Sequence, residues 1–517
     1  CLIHGDALEI LDRSGCAEII NAEGVTWTVA RTYVRNEVIR TDVYPRPAGF
    51  GPFVNISQYR IEQVLAAEAA RRPLCDLRWG HKVTGVSQDG DGVSVTVAAP
   101  GGEQEMRFSY LIACDGVRST LRGMVGVEWT GYTHKDCFLI TDIKARLPFD
   151  VGRHFHYDPS FNPGRQLVIH PQPDDIWRID WQLPPDADID AERASGAFDA
   201  RVRAVIGDLP YEIDWVSTYR FHQRLVRRLR AGRIFFAGDA AHALPPYGSR
   251  GMNSGIQDAD NLAWKLALTL SGQAGPGLLE TYHQERHAAA QENLRVTEQT
   301  IRFMVPPNWA RRQARRVLLR LCSPLKSVRR HVNSGKMTEP YVYADSPIVQ
   351  RAGGGSRAGG GSGSRPPLGG FAPDGPVSEP GLPGRLRQLF GTGFVGLYFA
   401  DGQQDAARFA AQAAGLPWQA PARLVLVLPP GAQDPPSGSG RSGSWPVGAA
   451  IIRDHSGTLG AAYGATGPRW WLIRPDGHLA ASGGPDQAPE FAAALSRAVS
   501  GPPDPDRAGV RRAEAVS

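Results

Sequence analysis

The sequence has 517 residues, of which 42% are hydrophobic and 21% are charged, a composition typical of folded soluble proteins. At about 100–200 residues per domain, this length predicts two to four domains. The formal net charge of +5 is small for the chain length and does not indicate nucleic-acid binding. No apolar run approaches the ~18 residues of a membrane-spanning helix, and no signal segment opens the sequence. Membrane and secreted proteins are therefore disfavoured.

The first 130 residues alternate helical and strand patterns. The predicted elements are a helix over Ala7–Asp12, a helix over Tyr59–Arg71 with Ser57 as its N-cap, a hairpin of Val83–Val86 with Val93–Val97, and a strand over Tyr110–Ala113. The hairpin rests on the Asp-Gly-Asp-Gly turn between its two strands.

Residues 136–222 read mostly as strand. The predicted strands are Phe138–Ile143, His154–Tyr157, Gln166–His170 and Trp177–Leu183. Alternation in the last strand places Trp177, Ile179 and Trp181 on one face, which is either the wall of an apolar pocket or a plain sheet core.

A further strand and a long helix follow. The strand covers Arg233–Ala237, and the helix ends at Ser271-Gly272. Its predicted buried stripe is Ile256, Ala259, Ala263, Leu266 and Leu270. The basic run Arg311–His331 predicts an amphipathic surface helix, with nucleic-acid or lipid binding as the alternative. The apolar face of that helix is Val317, Leu318, Leu321 and Leu325.

The carboxyl-terminal part differs in composition. Residues 351–517 hold 31 of the 59 Gly and 20 of the 41 Pro. Ala352–Gly370 is of low complexity and predicts a flexible linker. The elements that follow predict a small α/β module: strands Phe394–Phe399, Leu424–Leu428, Ala449–Arg453 and Trp470–Arg474, with a helix over Gln404–Ala414.

The segment Arg233–Lys265 carries the most chemical information. A buried strand ends at Gly238-Asp239, where a carboxylate suits a pair of ribose or ribityl hydroxyls. The glycines that follow, Gly248, Gly251 and Gly255, let backbone N–H groups approach an anionic ligand at a helix start. The alternative is a helix cap followed by plain turns, which the ordered combination of these features disfavours.

A second segment, Cys114–Arg122, repeats the order of strand, tight turn and helix start. This order predicts a phosphate-binding nest, with a simple turn and cap as the alternative. The six cysteines of the chain show no CxxC spacing, so no metal site and no disulfide framework are predicted, and a reducing cytoplasm is favoured.

These two segments resemble the DG and GD motifs of group A flavoprotein monooxygenases, the single-component FAD-dependent aromatic hydroxylases. The resemblance is closest to the branch that contains 3-(3-hydroxyphenyl)propionate, phenol and polyketide hydroxylases. Asn55–Tyr59 is similar to the N-x-x-Q-Y helix start of that family. Leu459–Ala480 resembles its thioredoxin-like domain, and since no cysteine follows Cys322, a structural or dimerising role remains, with a homodimer as the expected assembly.

The resemblance implies a mixed α/β fold. Its parts are a Rossmann-like FAD-binding domain (1–130 and 223–305), a β-rich substrate domain (131–222), a helical connection (306–351), the linker (352–370), a thioredoxin-like domain (371–500) and a tail (501–517).

It also implies a set of FAD-binding residues: Gln58, Asp115, Arg118, Gly238, Asp239, Pro245, Pro246, Arg250, Gly251, Met252 and Asn253. In that family's pattern, Asp239 binds the ribityl region, while Asp115 and Arg118 support the pyrophosphate side. The two prolines lie over the flavin ring, and Gln58 lies near its sugar end.

The residues at the start of the long helix are implied to meet the flavin ring. Gly251, Met252 and Asn253 present backbone N–H groups to ring atoms N1 and O2. A cation at Arg250 would stabilise the reduced, anionic flavin. In the implied reaction NADH or NADPH reduces the flavin, O2 adds at C4a, and the hydroperoxide transfers one oxygen to a phenolic or polycyclic aromatic ring.

No catalytic residue is assigned. Candidates for a base that takes the phenol proton are His154, His156, His170 and Tyr247, each with an ordinary sheet or loop position as the alternative. Other oxygenase chemistry on the same fold, such as epoxidation or ring opening, is an alternative function. Halogenation is disfavoured because the stretch Trp177–Leu183 does not match the WxWxIP pattern of halogenases.

The sequence departs from the family at its beginning. It starts at Cys1 and lacks the βαβ unit with GxGxxG, while the match at Gly438–Gly443 is followed by Pro446 where a helix should open. We therefore expect FAD binding by this chain to be weak or absent, and a truncated, non-catalytic remnant with a binding or dimerising role is the third hypothesis.

Overall fold

The computed structural model describes residues 1–46, 49–304, 306, 308–322, 327, 340–350, 365–379, 381–414, 421–432, 449–485 and 487–502. The chain divides into two compact units. The first comprises Cys1–Ile256 with Ala290–Thr338, and the second comprises Gln257–Ala289 with Glu339–Ser517. The domain ranges inferred from the sequence remain predictions.

The first unit is rich in strands. They are β1 Leu2–His4, β2 Val25–Trp27, β3 Val29–Val34, β4 Glu37–Val43, β5 Phe53–Asn55, β6 Lys82–Gln88, β7 Val93–Ala99, β8 Gly102–Phe108, β9 Leu111–Ala113, β10 Trp129–Lys144, β11 Arg153–Tyr157, β12 Gln166–Pro171, β13 Ile176–Leu183, β14 Glu212–Val226, β15 Arg230–Ala231, β16 Ile234–Phe236 and β17 His242–Ala243. Its helices are α1 Gly5–Arg13, α2 Ala17–Glu23, α3 Gln58–Arg71, α4 Thr120–Val125, α5 Ile189–Ser195, α6 Ala197–Ile206 and α9 Trp309–Cys322. The division between the units falls within α7 Arg250–Leu270 and α8 Gly277–Met304.

An eight-stranded sheet dominates this unit, in the order β17-β14-β10-β13-β12-β11-β3-β4. Three three-stranded sheets accompany it, in the orders β1-β5-β2, β15-β16-β9 and β6-β7-β8. In the second of these, β9 and β16 run parallel, so their carboxyl ends lie at the same edge. This pairing brings together the two segments singled out in the sequence.

Most of the predicted elements are confirmed. The two early helices, the β6–β7 hairpin and the strands from β10 to β13 and at β16 appear where the patterns place them. Ser57 occupies the N-cap position of α3, although its side chain makes no capping hydrogen bond. Several elements were not predicted: the strands β1 to β5, β8 and β14, the helices α2, α5 and α6, and the long helix α8.

The apolar face of β13 is sheet core. Trp177, Ile179 and Trp181 pack in one cluster with residues of α6 such as Phe198 and Val202. The pocket-wall interpretation of that face is therefore wrong, because two unpredicted helices cover it.

The predicted buried stripe of α7 is wrong at three of its five positions, while Leu266 is buried and Ile256 packs against a buried cluster. Ala259 and Ala263 are exposed, and Leu270 is 59% exposed. The side chains that α7 buries are largely polar, including Asn253, Asp258, Asn261 and Lys265. A prediction from hydrophobic periodicity places polar residues on the surface. In this helix they lie inside, because buried side chains provide them with hydrogen-bond and ion-pair partners.

The predicted basic helix is confirmed as α9 over its described part. Leu319 is buried and Leu318 is partly buried, whereas Val317 and Leu321 are exposed. The face that packs is therefore one position away from the predicted one. Leu325 lies outside the described residues.

The second unit contains a five-stranded sheet in the order β20-β19-β18-β21-β22. Its elements are β18 Phe394–Phe399, α10 Gln403–Ala414, β19 Ala422–Leu428, β20 Ala449–Arg453, α11 Thr458–Ala462, β21 Arg469–Ile473, β22 Leu479–Gly483 and α12 Ala488–Ser500. The predicted β-α-β then β-β order of strands is confirmed. The thioredoxin-like identity of this unit remains a prediction. Residues 352–364 of the predicted linker lie outside the described residues, and the N–H of Gly369 donates to the carbonyl oxygen of Leu479.

A buried charge cluster lies within the second unit. Glu285 accepts from Lys265 Nζ at 2.7 Å and from Arg474 Nη1 at 2.6 Å and Nη2 at 2.8 Å. Arg474 also pairs with Asp476, whose Oδ2 accepts from Trp264 Nε1 at 3.1 Å. The side chains of all four charged residues are at most 1% exposed. The cluster therefore holds two cations and two carboxylates out of water.

No helix in the described part of the chain is both long enough and apolar enough to cross a bilayer. The same residues contain no group of His, Cys, Asp and Glu arranged to bind a metal ion. The five cysteines up to Cys137 are free thiols.

Candidate functional site

The two predicted motif segments meet at one sheet edge. The N–H of Ala237 donates to the carbonyl oxygen of Ala113 at 3.1 Å, which extends the β9–β16 pairing to the strand ends. Arg122 then donates from Nη1 to Ala240 and from Nη2 to Val117, at 3.1 and 2.9 Å. Arg122 thus fastens one segment to the other, a role that sequence reasoning missed although the residue lies in the quoted motif.

The two motif carboxylates differ in their surroundings. Asp115 accepts from the N–H of Leu121 at 3.1 Å, so it caps α4 together with Ser119. Asp239 is exposed and has no hydrogen-bond partner among the described residues. The pKa of Asp239 is raised, because the surrounding protein removes part of its hydration. Its carboxylate remains available to a ligand.

The start of α7 is shaped for close approach. Gly248 and Ser249 have φ values of +77° and +53°. The backbone of Ser249 is therefore strained, because a non-glycine residue rarely adopts the left-handed region, and such strain is frequent at binding sites. A Cβ added to Gly255 would lie 3.4 Å from the Cα of Gly238, so the strand end and the helix are nearly in contact. The N–H groups of the first helical turn have no carbonyl partner within α7. These groups are oriented to bind an anion or a ring carbonyl.

Two side chains hold this helix start in place. Asn253 is fully buried and joins α7 to β1, accepting from the N–H of His4 and donating to the carbonyl oxygen of Leu2. The buried Arg250 donates from Nη1 to Asn293 Oδ1 at 2.5 Å. Asn293 in turn donates to Ser254 Oγ at 2.9 Å.

The remaining predicted site residues are spread around these segments. Gln58 is the first residue of α3, is exposed and donates to Glu62 at 3.2 Å. Arg118 is exposed in the turn before α4. Pro245 is buried, whereas Pro246 is exposed and lines a cavity.

This cavity lies between the start of α7 and the large sheet. It encloses about 610 Å³ of empty space, including its mouth to solvent. Its residues come from β1, β2, β5, the sheet strands β10 to β14 and the turn that precedes α7: Leu2, Trp27, Asn55, Phe138, Arg153, Phe155, Gln166, Leu167, Val168, His170, Asp180, Gln182, Tyr219, Phe221, Pro246, Tyr247 and Ser249.

Aromatic rings form one side of the cavity. The rings of Phe138 and Phe221 stack with centroids 3.8 Å apart, and Tyr247 meets Phe221 edge-on at 5.4 Å. Such a surface suits a planar aromatic ligand. Tyr247 connects it to a polar group, because Gln166 Nε2 donates to its hydroxyl at 3.2 Å.

The polar face of β13 forms part of another side. Asp180 lines the cavity, and its Oδ2 lies 3.8 Å from Nε2 of His170. Burial lowers the pKa of His170. Burial, followed by the charge of Asp180, raises the pKa of Tyr219 well above its usual value. Sequence reasoning missed Asp180, although the alternation in β13 had separated the polar face from the apolar one.

The structure separates the four candidate bases into two pairs. His170 and Tyr247 line the cavity, and neither His154 nor His156 does so. His154 bonds Tyr33 and the carbonyl oxygen of Asp150, and His156 stacks on Tyr33 with centroids 4.2 Å apart. His154 and His156 therefore occupy ordinary sheet positions, as the alternative interpretation predicted.

Residues 1–297 match the family model described as "FAD binding domain", which is more than half of the chain. The chain belongs to this family. It is 26% identical over 513 residues to the 3-(3-hydroxy-phenyl)propionate/3-hydroxycinnamic acid hydroxylase of Mycolicibacterium smegmatis, covering 95% of this chain and 85% of that protein. It is 34% identical over 282 residues to the tetracenomycin B2 monooxygenase-dioxygenase of Streptomyces olivaceus, covering 52% of each.

The fold agrees with the family. The crystal structure of the flavin-dependent monooxygenase PieE in complex with FAD and substrate matches with a TM-score of 0.74 and 22% identity, covering 96% of this chain and 91% of that one. The resemblance deduced from the motifs is thereby confirmed. The chain is an FAD-family enzyme of the hydroxylase type with a mixed α/β fold.

Proposed function

We propose that this protein is an NAD(P)H- and FAD-dependent monooxygenase that hydroxylates a phenolic or polycyclic aromatic compound. One observation supports this most directly: the same short segment, Pro246–Ser249, belongs to the flavin motif and lines the aromatic-walled cavity. A ring bound in that cavity would lie next to the helix start that the family uses for the flavin. The names of the two relatives described above support the same class of substrate.

The residues present fit FAD. The unpartnered carboxylate of Asp239 would accept hydrogen bonds from ribityl hydroxyls, and Gly238 permits the close approach that this requires. The first-turn N–H groups of Gly251, Met252 and Asn253 would face the polar edge of the flavin ring. Arg250 would add a positive charge at the same helix start.

The other motif residues would complete the site. Pro245 and Pro246 would cover the ring, and Gln58 would lie towards its sugar end. Asp115 would act through the α4 cap that it forms, with Arg118 adding positive charge on the pyrophosphate side.

Bound FAD supplies the activation of O2, with electrons from NADH or NADPH. The protein's own residues have three tasks. Phe138, Phe221 and Tyr247 hold the aromatic ring and exclude water from it. The polar residues of β11 to β14 orient the substituents of the ring, and Arg250 balances negative charge on the cofactor.

The test is product formation by the FAD-loaded protein. NAD(P)H oxidation would be measured over a panel of phenols and polycyclic phenols under 18O-labelled O2, with mass spectrometry of the products. We expect one labelled oxygen atom in the product of at least one compound. NAD(P)H consumption that yields only hydrogen peroxide across the panel would contradict the proposal, and an epoxide or a ring-opened product would replace hydroxylation by the related alternative.

We also infer that the protein works in the reducing cytoplasm as a homodimer, with its second unit in a structural or dimerising role. The free thiols of the described cysteines support the compartment. Because no cysteine follows Cys322, the thioredoxin-like fold has no dithiol chemistry of its own. Sedimentation equilibrium would test the assembly, and a monomer at micromolar concentration would contradict it.

A further inference from the structure

One wall of the cavity contains a carboxylate whose buried oxygen is unused. Oδ1 of Asp180 is shut off from solvent and has no hydrogen-bond partner among the described residues. Leaving a carboxylate oxygen buried and unpaired is costly, so such an atom points to a ligand that supplies a donor.

The neighbouring imidazole has a defined tautomer. Asn55 Nδ2 donates to the carbonyl oxygen of Pro171 at 2.7 Å, which fixes the orientation of this amide because a carbonyl oxygen only accepts. The same Nδ2 lies 3.1 Å from Nδ1 of His170, and Gln172 Nε2 lies 3.3 Å from it. Nδ1 therefore accepts, and the neutral ring carries its proton on Nε2, facing Asp180. His170 thus presents an N–H to Asp180 Oδ2 across 3.8 Å and acts as its positioning residue.

The other ionisable groups of the cavity do not compete for a donor. Arg153 is a cation, and Tyr219 stays protonated because its pKa is raised by burial and by the charge of Asp180. The hydroxyl of Tyr247 already accepts from Gln166. Two neutral acceptors, Asn55 Oδ1 and Gln166 Oε1, also lack partners among the described residues, but a carboxylate accepts more strongly than an amide.

We propose that Asp180 is the group that recognises a ring hydroxyl of the substrate, with His170 and Asn55 as its positioning residues. The substrate class is therefore a hydroxylated aromatic whose O–H donates to Asp180 Oδ1, rather than a ring without a hydroxyl. This inference rests on the proposed function, because it places the substrate in the aromatic-walled cavity. The hydrogen bond to a carboxylate also increases electron density on the ring, which favours attack by an electrophilic oxygen. Asn55 thereby gives the sequence motif N-x-x-Q-Y a contact with the substrate site.

The test compares binding of a hydroxyl and a methoxy probe. Isothermal titration calorimetry of the FAD-loaded protein, without NAD(P)H, would use 2-naphthol and 2-methoxynaphthalene. We expect 2-naphthol to bind at least tenfold more tightly to the wild type. Asp180→Asn should weaken 2-naphthol binding by about 10- to 100-fold and leave the methyl ether unchanged.

Two variants sharpen the comparison. Asp174→Asn makes the same chemical change at an exposed turn residue next to β13 and should leave both affinities as they are. Gln166→Leu removes one of the two neutral acceptors and should alter the preference for the hydroxyl less than Asp180→Asn does. Equal binding of the two probes to the wild type, or a larger loss in Gln166→Leu than in Asp180→Asn, would overturn the proposal.

A second measurement needs no variant. In 15N-histidine-labelled protein, the NMR signals of His170 should show a neutral ring with the proton on Nε2 at pH 7, and the opposite tautomer would overturn the positioning argument. Failure of the role of Asp180 can be distinguished from failure of the proposed monooxygenase activity. Hydroxyl-selective binding without oxygenated product would contradict the monooxygenase activity alone, whereas product formation without hydroxyl selectivity would contradict the role of Asp180 alone.

Discussion

The change Glu285→Gln tests the buried charge cluster of the second unit. The carboxylate of Glu285 faces Lys265, Arg474 and the hydroxyl of Ser346, which donates at 2.6 Å. The substitution leaves two buried cations with one carboxylate. Removing one partner of a buried ion pair costs about 3–5 kcal/mol, because the remaining charge has lost both its hydration and its partner.

The expected loss is measurable locally. Hydrogen exchange with mass spectrometry would follow peptides from residues 277–289, which lie in the same unit as the cluster. Since about 1.4 kcal/mol corresponds to a factor of ten, protection of these amides should fall by about 10²- to 4 × 10³-fold.

A matched control comes from the same helix. Glu292→Gln removes the pair between Glu292 and Arg295, whose side chains are 40% and 59% exposed, and should cost less than about 1 kcal/mol. The double change Lys265→Met with Glu285→Gln restores neutrality and should recover part of the loss. A cost below about 1 kcal/mol for Glu285→Gln alone would refute the reasoning, since it would mean that the cluster is hydrated.

Three further predictions concern the first unit. Asp239→Ala should weaken FAD binding at least about tenfold in a flavin-fluorescence titration, which also measures weak binding by the wild type. Glu292→Gln is the unaffected control, and an unchanged Kd for Asp239→Ala would contradict the site. Arg122→Lys should destabilise this unit by about 2 kcal/mol in urea, because an ammonium group cannot bond both Ala240 and Val117, and an unchanged midpoint would contradict this. Burial lowers the pKa of His156 from 6.5 to about 4. Below pH 6.5 the unfolded chain therefore takes up a proton that the folded protein does not bind. About 3 kcal/mol of the free energy of unfolding is lost as the pH falls from 6.5 to 4. His156→Phe should remove that part of the pH dependence, the exposed His455→Gln should not, and identical pH profiles for wild type and His156→Phe would refute the assignment.

The sequence predicted about half of the helices and strands of the described residues, because alternation and turn chemistry are local signals. It failed on the buried face of α7, where Asn261 and Lys265 are inside and Ala263 is outside. A buried lysine requires a counter-charge, and the cluster that surrounds it is assembled from positions far apart in the chain. Arg474 lies 189 residues from Glu285, and Asp476 lies 212 residues from Trp264. No pattern within a window of a helix can contain that information.

Local sequence patterns also predicted only part of the candidate site. The motifs placed Asp239 and the start of α7 correctly at a strand end and a helix start, because glycine and turn residues report on the backbone. Alternation in β13 places Asp180 and Trp181 on opposite faces of the sheet. It does not tell which of the two faces is covered by other elements and which one lines the cavity. Helices α5 and α6 decide this, and their patterns had been absorbed into a region assigned mostly to strands.

One face of β13 lines the cavity and the other packs in the sheet core, and the pairing of β13 with its neighbouring strands fixes which residues lie on each face. Asp180 pairs with Ile140 on one side and with Val168 on the other, so both neighbouring strands fix its position. Because side chains alternate with a period of two, a slip by one residue would bury Asp180 in the core and place Trp181 in the cavity. Substitutions at the polar positions of this strand can change what the cavity recognises without touching the tryptophan core. The substrate preference of this enzyme is thus expected to vary through Asp180 and Gln182, while Trp177, Ile179 and Trp181 preserve the sheet that presents them.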